Sequence, residues 1–97
     1  MRLYFWRLGM TSLTLNAEPI AQSVETSDSE LVVRLTDGRV LSAPLVWFPR
    51  LNNASPAKRK AYELMGNGVG IHWPELDEDI SVVGLLAGLP SIEYRTK

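Results

Sequence analysis

Alternation of apolar and polar residues predicts strands in the first half of the chain. The runs Glu30-Leu-Val-Val-Arg-Leu-Thr36 and Arg39-Val-Leu-Ser-Ala-Pro-Leu45 are rich in β-prone residues and flank the pair Asp37-Gly38. An Asp-Gly pair between two such runs strongly indicates a β-hairpin with a two-residue turn. Residues 20–26 form a weaker strand pattern. We therefore predict an antiparallel sheet centred on the hairpin 30–45.

The two-residue turn also predicts a register for this hairpin. Opposite residues of an antiparallel pair share a face, and the face expected to pack on the helices holds three pairs: Leu35 with Val40, Val33 with Ser42, and Leu31 with Pro44. Because proline has no amide hydrogen to donate, Pro44 indicates an edge strand or the end of the pairing. An edge of this kind leaves a homodimer open as an assembly.

Two helices and a further strand are predicted in the second half. Ser55 is a good N-cap for a helix over residues 56–65, in which proline takes the first position. Large apolar side chains alternate along residues 69–73, which predicts a strand with one buried face. Ser81 can cap a final short helix over residues 82–87.

Together these elements predict one small α+β domain. Its antiparallel sheet consists of the hairpin 30–45 and the strand near 69–73, with the two short helices packed on one face. We assign residues 17–90 to this domain, 1–16 to a flexible amino-terminal extension and 91–97 to a carboxy-terminal tail. Within the extension, Met10 is a candidate translation start, and three residues are candidates for an aromatic anchor: Tyr4, Phe5 and Trp6.

Composition narrows the classes of function. The chain has 97 residues, no cysteine, 10 Lys and Arg against 11 Asp and Glu, and a formal net charge of −1. Absence of cysteine excludes thiolate zinc sites, redox pairs and cysteine nucleophiles. A balanced charge provides no overall field that would hold a polyanion. Apolar runs are too short to span a membrane, and we expect a cytoplasmic protein.

One histidine lies close to a group of acidic residues. His72 is followed within seven positions by four carboxylates, those of Glu75, Asp77, Glu78 and Asp79, in a segment 75–79 that we predict as an acidic turn. An acid–base pair or an oxygen-lined cation site is conceivable there, but the spacing matches no known metal or catalytic motif. We therefore predict no catalytic residues, no metal and no cofactor.

Basic residues around the first helix suggest a different class of function. Four cations, Arg50, Lys58, Arg59 and Lys60, lie near its amino end. They could contact a few phosphates with modest, salt-dependent affinity, which makes weak nucleic-acid binding the alternative to protein binding. Ordinary surface charge explains the same residues.

Two strings in this chain resemble one bacterial family. Leu41-Ser-Ala-Pro-Leu-Val-Trp-Phe-Pro-Arg-Leu51 and Gly70-Ile-His-Trp-Pro-Glu-Leu-Asp-Glu-Asp-Ile-Ser-Val-Val-Gly-Leu-Leu-Ala-Gly88 are similar to the domain of unknown function 2442. The resemblance implies a small α+β domain with an antiparallel sheet and no established activity, cofactor or catalytic residue. Members are sometimes followed by a helix-turn-helix segment or encoded beside another small protein, which implies a regulatory or toxin–antitoxin-like partner role.

The most economical hypothesis is a non-catalytic protein-interaction or regulatory module. Its predicted partner is another small protein, with no membrane contact. The candidate binding surface consists of residues from the segments 47–50 and 72–79: Trp47, Phe48, Arg50, His72, Trp73, Asp77, Glu78 and Asp79. An acid–base or metal-dependent enzyme ranks third, after nucleic-acid binding.

Overall fold

A computed structural model of the chain describes residues 18–95. The amino-terminal extension, including the aromatic candidates Tyr4, Phe5 and Trp6 and the candidate start Met10, lies outside the described residues. In the part of the chain that is described, no helix is both long and apolar enough to cross a membrane.

The first half of the described chain forms a three-stranded antiparallel sheet. Strand β1 spans Ala21–Thr26, β2 spans Glu30–Leu35 and β3 spans Val40–Pro44. Their order in the sheet is β1-β2-β3, so β2 is central and both neighbours in sequence are neighbours in space. The predicted hairpin and the predicted first strand are confirmed.

The hairpin turn is one residue longer than predicted. The Leu35 amide donates to the carbonyl of Arg39 (2.8 Å), which leaves three residues, 36–38, in the loop. Only Gly38 of these has a positive φ, at 98°. A three-residue loop of this kind, a type I turn followed by a left-handed glycine, accepts Asp-Gly as readily as the two-residue turn does. The Asp37 carboxylate stabilises it by accepting from the Arg39 amide (3.0 Å) and from Arg39 Nε (2.8 Å).

This longer loop shifts the register of β3 by one residue. Val33 lies opposite Leu41, and Leu31 lies opposite Ala43. Successive residues of a strand point to opposite faces, so the shift exchanges the two faces of β3. Ala43 is therefore buried, whereas the predicted inward residues are exposed: Val40, Ser42 and Pro44. The predicted face of β2 is confirmed, and the predicted face of β3 is wrong.

The second half forms a separate three-stranded antiparallel sheet. Strand β4 spans Glu63–Met65, β5 spans Gly70–Trp73 and β6 spans Glu78–Ser81, in the order β4-β5-β6. The strand predicted near 69–73 is confirmed, but it does not extend the sheet of the hairpin 30–45. It pairs instead with β4 and β6, two strands that the sequence did not predict.

Helix α2 is half as long as predicted because its end is bound by another element. It spans Pro56–Lys60 rather than residues 56–65. The carbonyl of Arg59, which would accept from the amide of residue 63 in a longer helix, accepts instead from the indole Nε1 of Trp73 at 2.9 Å. Chain beyond Ala61 then leaves the helical conformation and pairs as β4.

The other helices are short. Helix α1 spans Pro49–Asn52, α3 spans Val82–Leu86 and α4 spans Ile92–Arg95, the last of these in the stretch predicted as a tail. Both predicted caps are confirmed. Ser55 Oγ accepts from the Lys58 amide at 3.3 Å, and Ser81 Oγ accepts from the Gly84 amide at 3.2 Å. Helix α2 contacts β1, and α3 contacts β3.

One core includes inward side chains from both sheets. Its largest fully buried members are Trp73, Leu31, Leu35, Leu45, Leu51, Ile71, Val33 and Val82. Close contact between the two halves depends on Gly68, which has a φ of +108°. A Cβ at this position would lie 2.6 Å from the carbonyl oxygen of Ala21 in β1. The second sheet is thereby held against the edge of the first.

Candidate partner-binding cleft

The two segments predicted to bind a partner meet at one cleft. It has a volume of about 400 Å³ and lies between α1, β6 and the carboxy-terminal residues 84–95. Five of the eight candidate residues line it: Phe48, Arg50, Asp77, Glu78 and Asp79. Trp47, His72 and Trp73 are not among the lining residues. The fold therefore combines part of each segment in a single concave surface.

Arg50 bridges one end of the cleft. Its Nη1 donates to the carbonyl of Asp77 (2.8 Å) and lies 3.4 Å from the carboxylate of the same residue. Its Nε donates to Glu93 Oε1 at 3.0 Å. The hydrogen bond to Glu93 is the main reason that the pKa of Arg50 is raised. Arg50 thus connects the β5–β6 loop to α4 and is already paired with two carboxylates.

Glu78 is a buried carboxylate on the wall of this cleft. It stands opposite Trp73 in the β5–β6 pair, at an inward-facing position, and only 7% of it is exposed. Within residues 18–95, no donor forms a hydrogen bond or ion pair with its carboxylate. Burial raises the pKa of Glu78; the charge of Arg50 opposes this shift and the neighbouring acids, Glu93 first, add to it. A buried charge without a partner is costly and rare in folded proteins.

The acidic segment that the sequence predicts as a turn is divided between a turn and a strand. Residues 74–77 do form a turn, in which the Leu76 amide donates to the Trp73 carbonyl at 3.1 Å. Asp77 adopts a left-handed φ of 51° and its side chain is almost fully exposed. Strand β6 begins directly afterwards, so Glu78 and Asp79 alternate inward and outward. The prediction of one acidic turn over 75–79 is therefore wrong for its last two residues.

His72 and Asp79 form a pair on the outward face of the second sheet. They lie opposite each other on β5 and β6, and His72 Nδ1 contacts Asp79 Oδ1. Glu63 of β4 lies opposite His72 on its other side. Such a pair can orient an imidazole ring for proton transfer. In the described part of the chain, no three metal-ligating side chains come together.

The aromatic candidates belong to the core. Phe48 and Trp73 are buried, and the Trp73 ring lies 6.3 Å from that of Tyr62, between ring centroids. Trp47 is half-buried against the same core, and its carbonyl accepts from the Ser91 amide at 3.1 Å. A partner can reach part of Trp47 but not Trp73. Phe48 contributes apolar surface to the lining of the cleft.

The four basic candidates do not form one free surface. Arg50 is paired in the cleft, and Arg59 is half-buried, with its guanidinium donating to the carbonyls of Leu51 (2.9 Å) and Asn52 (3.0 Å). Lys58 and Lys60 are exposed on α2. Of the four candidates, these two lysines are left to contact phosphates. Each such contact adds only about one unit to the slope of log affinity against log salt concentration.

Comparison with known proteins places this arrangement in a family. The model of a family described as protein of unknown function, DUF2442, matches residues 21–91. The chain belongs to the DUF2442 family. No curated protein matches it. The match includes α1, the acidic segment and both sheets, so it covers most of the lining of the cleft.

Two solved structures resemble this DUF2442 chain. A protein of unknown function from Rhodospirillum rubrum is 32% identical, with a TM-score of 0.68 over 78% of this chain and 94% of that one. The uncharacterised protein CV0863 from Chromobacterium violaceum is 25% identical, with a TM-score of 0.66 over 79% of this chain and 73% of that one. The α+β fold is thereby confirmed. Neither neighbour is described with a function.

Sequence reasoning missed the far wall of the DUF2442 cleft. That wall consists of Leu85 in α3 and of residues after this helix, chiefly Leu89, Pro90, Ile92 and Glu93. Leu89 is 51% exposed and Ile92 is 68% exposed. A local signal was present, since Ser91 caps α4 by accepting from the Tyr94 amide at 3.2 Å. Apolar residues on both sides of such a cap indicate an ordered segment.

Proposed function

We propose that this DUF2442 domain is a non-catalytic protein-interaction module with a regulatory role, and that its partner docks in the cleft. The partner class is another small protein, as in a toxin–antitoxin-like pair. One observation carries this proposal: Glu78, a buried carboxylate that no donor within residues 18–95 pairs with, lies beside exposed apolar side chains in the same concave surface. Each of these features is unfavourable in the isolated domain, and both are relieved when a partner fills the cleft.

Exposed apolar surface supports docking of a protein rather than of a small polar molecule. Leu89 and Ile92 line the rim of the cleft, and Leu86 and Val83 are exposed on the adjoining helix α3. Covering such side chains contributes about 25 cal/mol per Å² of apolar area. A protein segment that lies along this rim gains far more area than a small polar ligand does.

The arrangement of titratable groups favours binding over catalysis. His72, the partner of Asp79 in the pair best suited to acid–base chemistry, does not line the cleft. Asp79 lines the cleft and His72 does not, so the imidazole is not among the groups that the cleft presents to a bound molecule. Placement of the apolar rim and of the histidine on different surfaces supports an interaction module.

The experiment compares two charge insertions at equally exposed positions. Leu89→Asp places a charge on the rim of the cleft, and Val40→Asp places one on β3 outside it; these side chains are 51% and 50% exposed in the native domain. Tagged wild type and both variants are used to capture proteins from the source cell at low and moderate salt, followed by mass spectrometry. Thermal unfolding confirms that both variants fold.

We expect a stoichiometric protein partner that wild type and Val40→Asp retain at moderate salt and Leu89→Asp loses. If the two variants capture the same proteins, the cleft is not the binding surface. If wild type captures only nucleic acid, lost at moderate salt, the exposed lysines of α2 define the function instead.

A further inference from the structure

We propose that the cleft binds a basic side chain, preferably an arginine, from an apolar segment of the partner, and that Glu78 is the residue that binds it. This inference rests on the proposed function and adds the chemical class of what is bound. It depends on the charge balance of the cleft, on the hydrogen-bonding state of its carboxylates and on the apolar residues of its rim.

The described residues that line the cleft have an excess of negative charge. They include four carboxylates, those of Asp77, Glu78, Asp79 and Glu93, against the guanidinium groups of Arg50 and Arg95. Arg50 already pairs with two of these carboxylates, Asp77 and Glu93. Asp79 is in contact with His72. Among residues 18–95, Glu78 is left as the buried acceptor without a donor, so the unsatisfied charge on the described lining of the cleft is negative.

A guanidinium group matches this acceptor better than other cations do. It is planar, it donates two parallel hydrogen bonds to one carboxylate, and it is less strongly hydrated than an ammonium group. A divalent metal ion needs several oxygen or nitrogen ligands, and in the described part of the chain no three such side chains come together. One carboxylate in a cleft is sufficient for an arginine side chain and insufficient for a metal ion.

The apolar rim predicts what flanks the basic residue. Leu85 and Phe48 are buried residues that line the cleft, and the exposed residues Leu89 and Ile92 form the rim. A segment that inserts an arginine between these side chains covers them with its own neighbouring residues, and apolar neighbours gain the most from this contact. We therefore expect an arginine flanked by apolar residues rather than a run of basic residues.

The test starts from a random-peptide display library. Peptides are selected on the wild-type domain, and those that also bind Leu89→Asp are discarded, which leaves binders that depend on the cleft. We expect these to be enriched in sequences with one arginine or lysine among apolar residues. Enrichment of cleft-dependent peptides without a basic residue would overturn this inference and leave the proposed function standing. If no peptide depends on the cleft, the proposed function fails first.

Affinity measurements on one selected peptide then test the role of Glu78. Its binding is measured against wild type, Glu78→Gln and Asp28→Asn, the last a control at an exposed acid outside the cleft lining. A charge-assisted hydrogen bond predicts about tenfold weaker binding by Glu78→Gln and no change for Asp28→Asn. A peptide with citrulline in place of arginine should lose about the same factor on wild type and nothing further on Glu78→Gln.

Independent losses from the two changes, or equal binding by Glu78→Gln and Asp28→Asn, would show that Glu78 is not the acceptor. We expect Glu78→Gln to fold, because glutamine matches the shape of glutamate and removes a buried charge for which residues 18–95 provide no hydrogen-bond donor. Thermal unfolding of Glu78→Gln checks this directly.

Discussion

The two three-stranded sheets differ in what occupies their inward-facing positions. The buried positions of the first sheet are all apolar: Ala21, Val24, Leu31, Val33, Leu35 and Ala43. The second sheet has Trp73, Ile71 and Ile80 at the equivalent positions, but Glu78 takes the fourth. An acid at a core position lowers stability unless it has a partner. Under the proposed function, the first sheet is the scaffold and the second sheet provides part of the binding cleft.

The second sheet also depends on the first for its position. Its strands have three or four residues, whereas those of the first have five or six. Tyr62, just before β4, accepts a hydrogen bond through its hydroxyl from the Val24 amide of β1 at 3.1 Å. Gly68 brings the backbone of the second half against Ala21. Short strands gain little stability alone, so these contacts determine whether the cleft forms.

Among the changes that test this difference between the sheets, removal of the Trp73 indole should have the largest effect on stability. Trp73 is fully buried and its Nε1 binds the Arg59 carbonyl that ends α2. Trp73→Ala is expected to cost about 3–5 kcal/mol of unfolding free energy, measured by urea denaturation. Trp47→Ala, at a half-buried position, should cost clearly less. Equal losses would mean that the second sheet does not depend on Trp73 more than on its neighbours.

A methyl group at Gly68 tests the attachment of the second sheet to β1. Gly68 and Gly38 have similar positive φ values of 108° and 98°, but only at Gly68 would a Cβ meet backbone, 2.6 Å from the Ala21 oxygen. Gly38→Ala should cost about 1–2 kcal/mol from conformation alone, and Gly68→Ala about 3 kcal/mol because it adds a clash. Equal costs in thermal unfolding would indicate that the two halves separate easily at this point.

Replacement of Glu78 by an apolar residue should raise the stability of the domain and weaken binding of the proposed partner. Glu78→Met fills an inward position with a side chain of similar size and is expected to stabilise the domain by roughly 1 kcal/mol, or about 4–8 °C in Tm. The outward neighbour Asp79→Met serves as the control, with a change within about 0.5 kcal/mol. Loss of stability in Glu78→Met would show that the carboxylate has a stabilising partner in the native domain.

The pH dependence of stability gives a smaller effect with a definite sign. The pKa of Glu78 is raised by burial above its ordinary value of 4.5, so the native state binds its proton more tightly than the unfolded state. The contribution of Glu78 to stability therefore falls as pH rises from that value through the native pKa. The Tm advantage of Glu78→Gln over wild type should be present at neutral pH, shrink as pH falls through the native pKa and be lost by pH 4.5.

The difference in Tm between Glu78→Gln and wild type isolates the titration of Glu78. Both proteins retain the charges that face this position, those of Arg50, Asp77, Asp79 and Glu93. An advantage that stays constant with pH would mean that the Glu78 carboxylate titrates as an exposed acid does.

Local features of this protein follow from its sequence alone. The strands β2 and β5 are evident from the sequence, and β1 is indicated more weakly, because side chains of a strand alternate between its faces whatever the strand pairs with. The caps Ser55 and Ser81 are equally local, since a cap binds an amide three residues away. The α+β class and the family resemblance depend on such signals and are confirmed.

Tertiary structure decided the rest, because several local choices had nearly equal energy. Asp37-Gly38 accepts turns of two or three residues, and only burial of Ala43 against the core selects the register. Helix α2 ends at Lys60 because an indole 14 residues away takes the carbonyl of Arg59. Glu78 is polar by sequence and buried by its place in β6. Contacts between residues distant in sequence set its burial, and with it the candidate site.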